Sequence, residues 1–99
     1  MLRHVVAWKL AAEDPTTKLE HSAEIAARLN ALVPIIPQIR TLTVGPNAVD
    51  IAGNWDVVLV ADYDDADGLR AYIDDPDHQE AASYIRSVVA DRASVDFIL

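Results

Sequence analysis

The sequence predicts an α+β fold of the ferredoxin-like kind, on three observations. Two valine-rich runs are apolar on both faces, two amphipathic segments can each open with Asp-Pro, and the elements follow the order strand, helix, strand, strand, helix, strand. In that arrangement four strands make one antiparallel sheet and the helices cover one of its faces. Ninety-nine residues suit one domain, residues 1–99, with one core. No sequence repeat relates the two halves.

The first strand is read over residues 2–10, because Val5-Val6-Ala7-Trp8 is β-prone and no glycine or proline interrupts it. Alternation places Leu2, Val6, Trp8 and Leu10 on one side with His4, and Val5 and Ala7 on the other with Arg3 and Lys9 toward the ends. Asp14-Pro15 and Thr17-x-x-Glu20 then offer overlapping helix starts, a capping aspartate before proline or a capping box. The helix is expected to run to about Leu32. Leu19, Ala23, Ala26, Leu29 and Val33 form its apolar stripe, with Lys18, His21, Glu24 and Arg28 opposite, so that His21 is read as solvent-exposed.

Pro34 ends that helix, and Pro37 is expected to hold Ile35-Ile36-Pro37 extended. The second strand is read as Ile39 to Val44, followed by turn residues from Gly45-Pro46-Asn47 to Gly53-Asn54, and the third as Trp55 to Tyr63. Ala66 to Ile73 reads as a short helix. Asp75-Pro76 restarts a second one to about Arg92, with Ala81, Ile85, Val88, Val89 and Arg92 at helical spacing. Val95 to Leu99 closes the chain as a strand.

Eight Lys and Arg against sixteen Asp and Glu leave a net charge of -8, which repels phosphate backbones and anionic lipid surfaces, so neither nucleic acid nor membrane is an expected partner. The absence of cysteine removes thiol nucleophiles and zinc-thiolate sites and fits a cytoplasmic location. No secretory leader is read at the N-terminus, and no stretch approaches the roughly 18 apolar residues of a membrane span. A domain of this size buries only about two-thirds of the surface its unfolded chain exposes, yet 52% of the residues are apolar. An antiparallel sheet with one wet face should alternate apolar with polar, and the first and third strands do not. The expected partner is therefore a second copy, packed sheet to sheet in a C2 homodimer.

His4, Tyr72, His78 and Asp96 are the residues with usable chemistry, far apart in sequence but within reach of one pocket between helices and sheet. His78 falls at the third position of its helix, where free N–H groups favour a neutral ring, while Asp74, Asp75 and Asp77 favour the charged one, leaving the direction of its pKa shift open. If Asp96 accepts a hydrogen bond from one ring nitrogen, the other is oriented to take a proton from a carbon beside a carbonyl, and Tyr72 could then donate to the enolate oxygen. In the structural alternative His78 is a wet first-turn residue, Asp96 caps a loop, and His4 is a hydrogen-bonded core histidine rather than a pocket wall. Asp62, Asp64 and Asp67 resemble the start of a calcium loop, but Ala66, the late Gly68 and Ile73 break that pattern. They read as acids favouring a helix N-terminus, and no metal site is expected.

Arg3-His4-Val5-Val6-Ala7-Trp8-Lys9, Ile36-Pro37-x-Ile39, Val44-Gly45-x-Asn47, the strand Asp56 to Tyr63, and Leu69-x-x-Tyr72-x-x-x-Pro76-x-His78, taken in this order over essentially the whole chain, resemble the stress-responsive dimeric α/β-barrel (Dabb) domain. The resemblance implies ferredoxin-like subunits paired through their sheets, without a cofactor. A more distant similarity to olivetolic acid cyclase, which closes a linear polyketide by aldol-type condensation, implies His78 as catalytic histidine, Asp96 as its carboxylate partner, and Tyr72 and His4 as pocket residues. Asp75 departs from the histidine that the family often has before the proline, and the first helix lacks a matching tyrosine. The function expected is binding, or acting on, a small apolar, phenolic or polyketide-like molecule by enolisation. The alternatives are a non-catalytic stress or assembly protein, and a cofactor-free monooxygenase whose aromatic pocket would use Trp8 and Trp55.

Overall fold

The structure is a computed structural model of residues 1–99. Its elements are β1 (Leu2–Leu10), α1 (Pro15–Asn30), β2 (Thr41–Pro46), β3 (Val57–Tyr63), α2 (Ala66–Asp74), α3 (Pro76–Val88) and β4 (Val89–Ile98). The strands form one antiparallel sheet in the order β2-β3-β1-β4, with the helices on one face. This is the ferredoxin-like arrangement, its second helical segment divided at Asp75. None of the helices is long and apolar enough to cross a membrane.

Helix starts follow the local chemistry of the chain. Asp14 caps α1, its carboxylate accepting from the Thr17 backbone N–H at 2.9 Å and hydroxyl at 2.7 Å, with Pro15 in the first helical position. Asp75 does the same for α3 through the Asp77 N–H at 2.8 Å, and Asp65 caps α2 through the Gly68 N–H at 2.9 Å. The acids that resembled a calcium loop are thus divided among separate tasks. Asp62 meets Arg3 and Thr41, Asp64 meets Arg40, and Asp67 meets Arg70.

Four expectations are corrected. The buried stripe of α1 is Ser22, Ile25 and Leu29, continued by Leu32. Leu19 is 64% exposed and Val33 41%. Packing selected the face carrying Ile25, rotated from the one that the alanines seemed to mark, and this rotation half-buries His21 with its Nδ1 unpartnered. Residues 31–38 form turns closed by Ile36 N–H to Leu32 C=O at 2.8 Å instead of an extended segment. β2 begins two residues later than expected, at Thr41, and β3 at Val57. The fourth concerns the C-terminus: α3 ends at Val88, not near Arg92, because Leu10 pairs with Val89 and the Ala11 N–H reaches the Val88 carbonyl at 2.9 Å. Ladder pairing with β1 outweighs the helical periodicity of Val88, Val89 and Arg92, as non-local context commonly does with β-branched residues.

β1 and β3 are the central strands. On their inner side Val6, Leu59 and Ala61 join Ile25, Leu29, Ile36, Tyr63 and Tyr72 in the core, each at most 2% exposed. Their outer side carries Val5, Ala7, Val58 and Val60, continued on β4 by Ala93, Val95 and Phe97. Within one chain this face is uncovered, with Val95 63% and Phe97 44% exposed.

The corrected helix face makes a direct test. Ile25→Ala is expected to lower stability by about 2–4 kcal/mol in urea unfolding, the range for truncating a buried branched side chain. Leu19→Ala, on the stripe read from sequence, is expected to change it by less than about 0.5 kcal/mol.

Candidate functional site

The inner alternation of β1 aims His4, Val6 and Trp8 at the helices, and α3 lies across them with His78, Ala82, Ile85 and Arg86 facing the sheet. Between these layers is a cavity of about 510 Å³, and ten of its fifteen lining residues are hydrophobic. Leu29, Leu59, Tyr72 and Ile73 complete its apolar wall, and Val89 to Arg92 form one side. A space of this size and lining is typical of small-molecule sites. A second cavity of about 440 Å³ lies on the outer side of the sheet beside Ala7, Asn47, Asn54 and Trp55.

His4, Tyr72 and His78, three of the four residues singled out from sequence, line the inner cavity, and Asp96 joins them through His4. The hydrogen bonds differ from expectation. Asp96 does not partner His78. It sits directly across the ladder from His4, so the His4 Nδ1–H donates to Asp96 Oδ1 at 2.5 Å. The His78 Nδ1–H donates to the Ile73 carbonyl at 3.1 Å, a group freed where α2 gives way to α3. A carbonyl can only accept, so the neutral His78 ring carries its proton on Nδ1 and its lone pair on Nε2. His4 combines the two alternatives considered for it: it is 5% exposed, hydrogen-bonded, and part of the cavity wall.

Burial holds the His78 pKa below the ordinary 6.5, assisted by the charges of His4 and Arg86 and opposed by the Ile73 carbonyl and Asp75. Desolvation disfavours the imidazolium and therefore settles the direction that sequence left open. Tyr72 packs on His78 with ring centroids 4.2 Å apart and on Tyr63 at 5.2 Å. Burial pushes the Tyr72 hydroxyl up to about 12 and raises Tyr63 likewise, so both remain proton donors. Neither hydroxyl makes a well-formed hydrogen bond within the chain, although the two lie near enough that each alters the other's ionisation. An unmet buried donor costs about 1–3 kcal/mol, a cost that an oxygen in the cavity would relieve at Tyr72.

Sequence reasoning missed Tyr63, Arg86 and Arg92, and of the two tryptophans it considered for a shared aromatic pocket only Trp8 lines the inner cavity, Trp55 lying at the outer one. Tyr63 was read only as a strand end. Arg86 follows His78 and Ala82 at helical steps of four, a signal present in the chain. Arg92 was hidden by extending α3 through it. Once β4 is placed, Arg92 falls on the same side as Asp96 by strand alternation and lies opposite Trp8.

Both histidines are expected to show the Nδ1–H tautomer in nitrogen-resolved NMR when neutral, and Asp96→Ala is expected to release His4 while leaving His78 as it was. A change confined to His78 would reverse this assignment. The His78 ring is expected to titrate below 6.5. Its unfolded counterpart binds a proton more readily, so its contribution to stability is fully present above pH 6.5 and declines as pH falls toward its folded value. His78→Ala is expected to flatten that part of the stability profile.

No curated protein sequence matches the chain. Among solved structures it is similar to a dimeric protein of unknown function from Bacteroides fragilis, with TM-score 0.90, 27% identity, and coverage of 99% of this chain and 95% of that one. A dimeric ferredoxin-like protein of unknown function from Thermobifida fusca superposes with TM-score 0.84 at 34% identity, covering 99% and 90% of the two chains. The hydroxynitrile lyase of Passiflora edulis shares the fold, with TM-score 0.81, 15% identity, and 99% and 92% coverage. The Stress Responsive A/B Barrel Domain, Dabb, matches residues 2–99, and the chain belongs to that family.

Proposed function

We propose that the inner cavity binds a small, largely apolar molecule bearing a carbonyl or phenolic oxygen, and that His78 acts on it as a general base without metal or organic cofactor. The observation that carries this reading is the state of His78. Its Nδ1–H is engaged by Ile73, burial favours the neutral ring, and the side chain borders an apolar cavity. Such an imidazole offers Nε2 to a proton on a carbon next to a carbonyl. As that C–H bond breaks, its electron pair moves to the carbonyl oxygen, and the unpartnered Tyr72 hydroxyl donates to the forming oxyanion. The resulting enolate can add to a second carbonyl in an aldol-type ring closure or regain a proton. His4, held by Asp96, is a polar contact for a second substrate oxygen. A non-catalytic stress or assembly role fits the family as well, but it assigns no purpose to a cavity of about 510 Å³ with histidines in its wall.

The same reading makes the protein a homodimer through the outer sheet face. Val5, Ala7, Val58, Val60, Val95 and Phe97 form a continuous apolar surface there, and two similar proteins are described as dimeric.

With phenolic and polyketide-like carbonyl compounds as probes, His78-dependent exchange of the α-proton for deuterium tests the base. His78→Ala is expected to lower the exchange rate by about 10²–10⁴-fold and Tyr72→Phe by about 10²–10³-fold, with binding retained in both. Wild-type activity should fall as pH drops through the depressed His78 value. Exchange that persists in His78→Ala would remove the base, and absence of binding to the whole panel would remove the ligand class. For the dimer, Val95→Asp changes a residue that is 63% exposed in the single chain. It is expected to convert dimer to folded monomer in ultracentrifugation, and a monomeric wild type would refute the pairing.

A further inference from the structure

Anions should avoid a chain with net charge -8 and only eight lysines and arginines. The placement of those eight cations is uneven. Arg3, Lys18, Arg28, Arg40 and Arg70 each meet a carboxylate, and Lys9 lies 4.9 Å from the centroid of the Trp55 ring. The two that remain without a carboxylate or aromatic partner, Arg86 and Arg92, both line the inner cavity.

They also share one end of it. His78 and Arg86 lie on one face of α3 separated by about 12 Å of helix rise. Asp96 and Arg92 lie on one face of β4 separated by about 13 Å of strand, with His4 opposite the first and Trp8 opposite the second. The cavity therefore has a histidine and tyrosine end, an apolar middle and a guanidinium end. Asp91, the carboxylate nearest Arg92 in sequence, also borders the cavity, but its Oδ1 accepts from Arg92's own backbone N–H at 2.8 Å. The Arg92 side chain makes one long contact, 3.3 Å to the Ser94 hydroxyl.

We infer that the ligand of this cavity is an amphipathic carboxylate, its acid group held by Arg86 and Arg92 and its reacting carbon near His78. This rests on the cavity being a binding site, and it adds the charge and polarity of the ligand and its direction in the site. Guanidinium groups suit the role because their forked N–H donors match a carboxylate. Free guanidiniums in an otherwise acidic protein attract an organic anion locally while the rest of the surface repels it. The two ends lie about two turns of α3 apart along the backbone, which calls for an apolar body between acid and reacting carbon.

Octanoate and its methyl ester probe this on the full chain, read by calorimetry and by Trp8 fluorescence in a Trp55→Phe background. At low salt octanoate is expected to bind at least about tenfold more tightly than the ester. The double variant Arg86→Gln, Arg92→Gln is expected to weaken octanoate about tenfold or more while leaving the ester unchanged, which also shows that the cavity still folds. Arg70→Gln, whose side chain pairs with Asp67 on α2, should alter neither. Equal affinity for the two probes, or octanoate binding untouched by the double variant, overturns the carboxylate assignment and leaves the cavity a binding site. Failure of both probes to bind overturns the assignment together with the binding reading beneath it.

Discussion

The two-residue period of β1 is the constraint on which the rest of the molecule depends. Leu2, His4, Val6, Trp8 and Leu10 are all turned under the helices, while Arg3, Val5 and Ala7 face the other way. A one-residue slip would exchange these sets and place a guanidinium in the core. The period also carries an imidazole into the apolar layer, where a polar group without a partner is costly. Asp96 meets that requirement from the adjacent strand, so the pair that satisfies His4 also helps to pin β4 in register with β1.

Against this well-satisfied end of the site stand the two tyrosines. Tyr63 and Tyr72 are fully buried, their rings stack toward His78, and their hydroxyls are unmatched within the chain. A core selected only for stability would rarely leave such a pair of hydroxyls without a well-formed acceptor. Together with a depressed His78 and an adjoining cavity, they describe a site organised around something that the chain does not itself contain.

The two faces of the sheet have different uses for similar residues. Inside, valine, leucine and tryptophan pack under the helices and bound a space that remains open. Outside, valines, alanines and Phe97 form a flat apolar field with the Arg3–Asp62 ion pair at one end, its N···O distances 2.8 and 2.9 Å. That pair holds the Asp62 carboxyl below its usual range. It is also joined by the Thr41 hydroxyl at 3.0 Å, which ties β1, β3 and β2 together across the end of the field.

The sequence alone determined the element order, the Asp-Pro helix starts and the alternation of β1, because each depends on a local rule of capping, spacing or side-chain direction, whereas the meeting of His4, Tyr72 and His78 at one cavity is a property of the fold. Tertiary structure decided which stripe of α1 is buried, where α3 yields to β4, and which acceptor each histidine uses. Those choices are made by distant partners: Leu10 competing for Val89, Ile25 finding the sheet before Leu19, and Asp96 landing across from His4 rather than beside His78. Arg86 and Arg92 became visible as a pair only with the fold in place, because their lack of partners is a property of where the carboxylates went and not of any stretch of sequence.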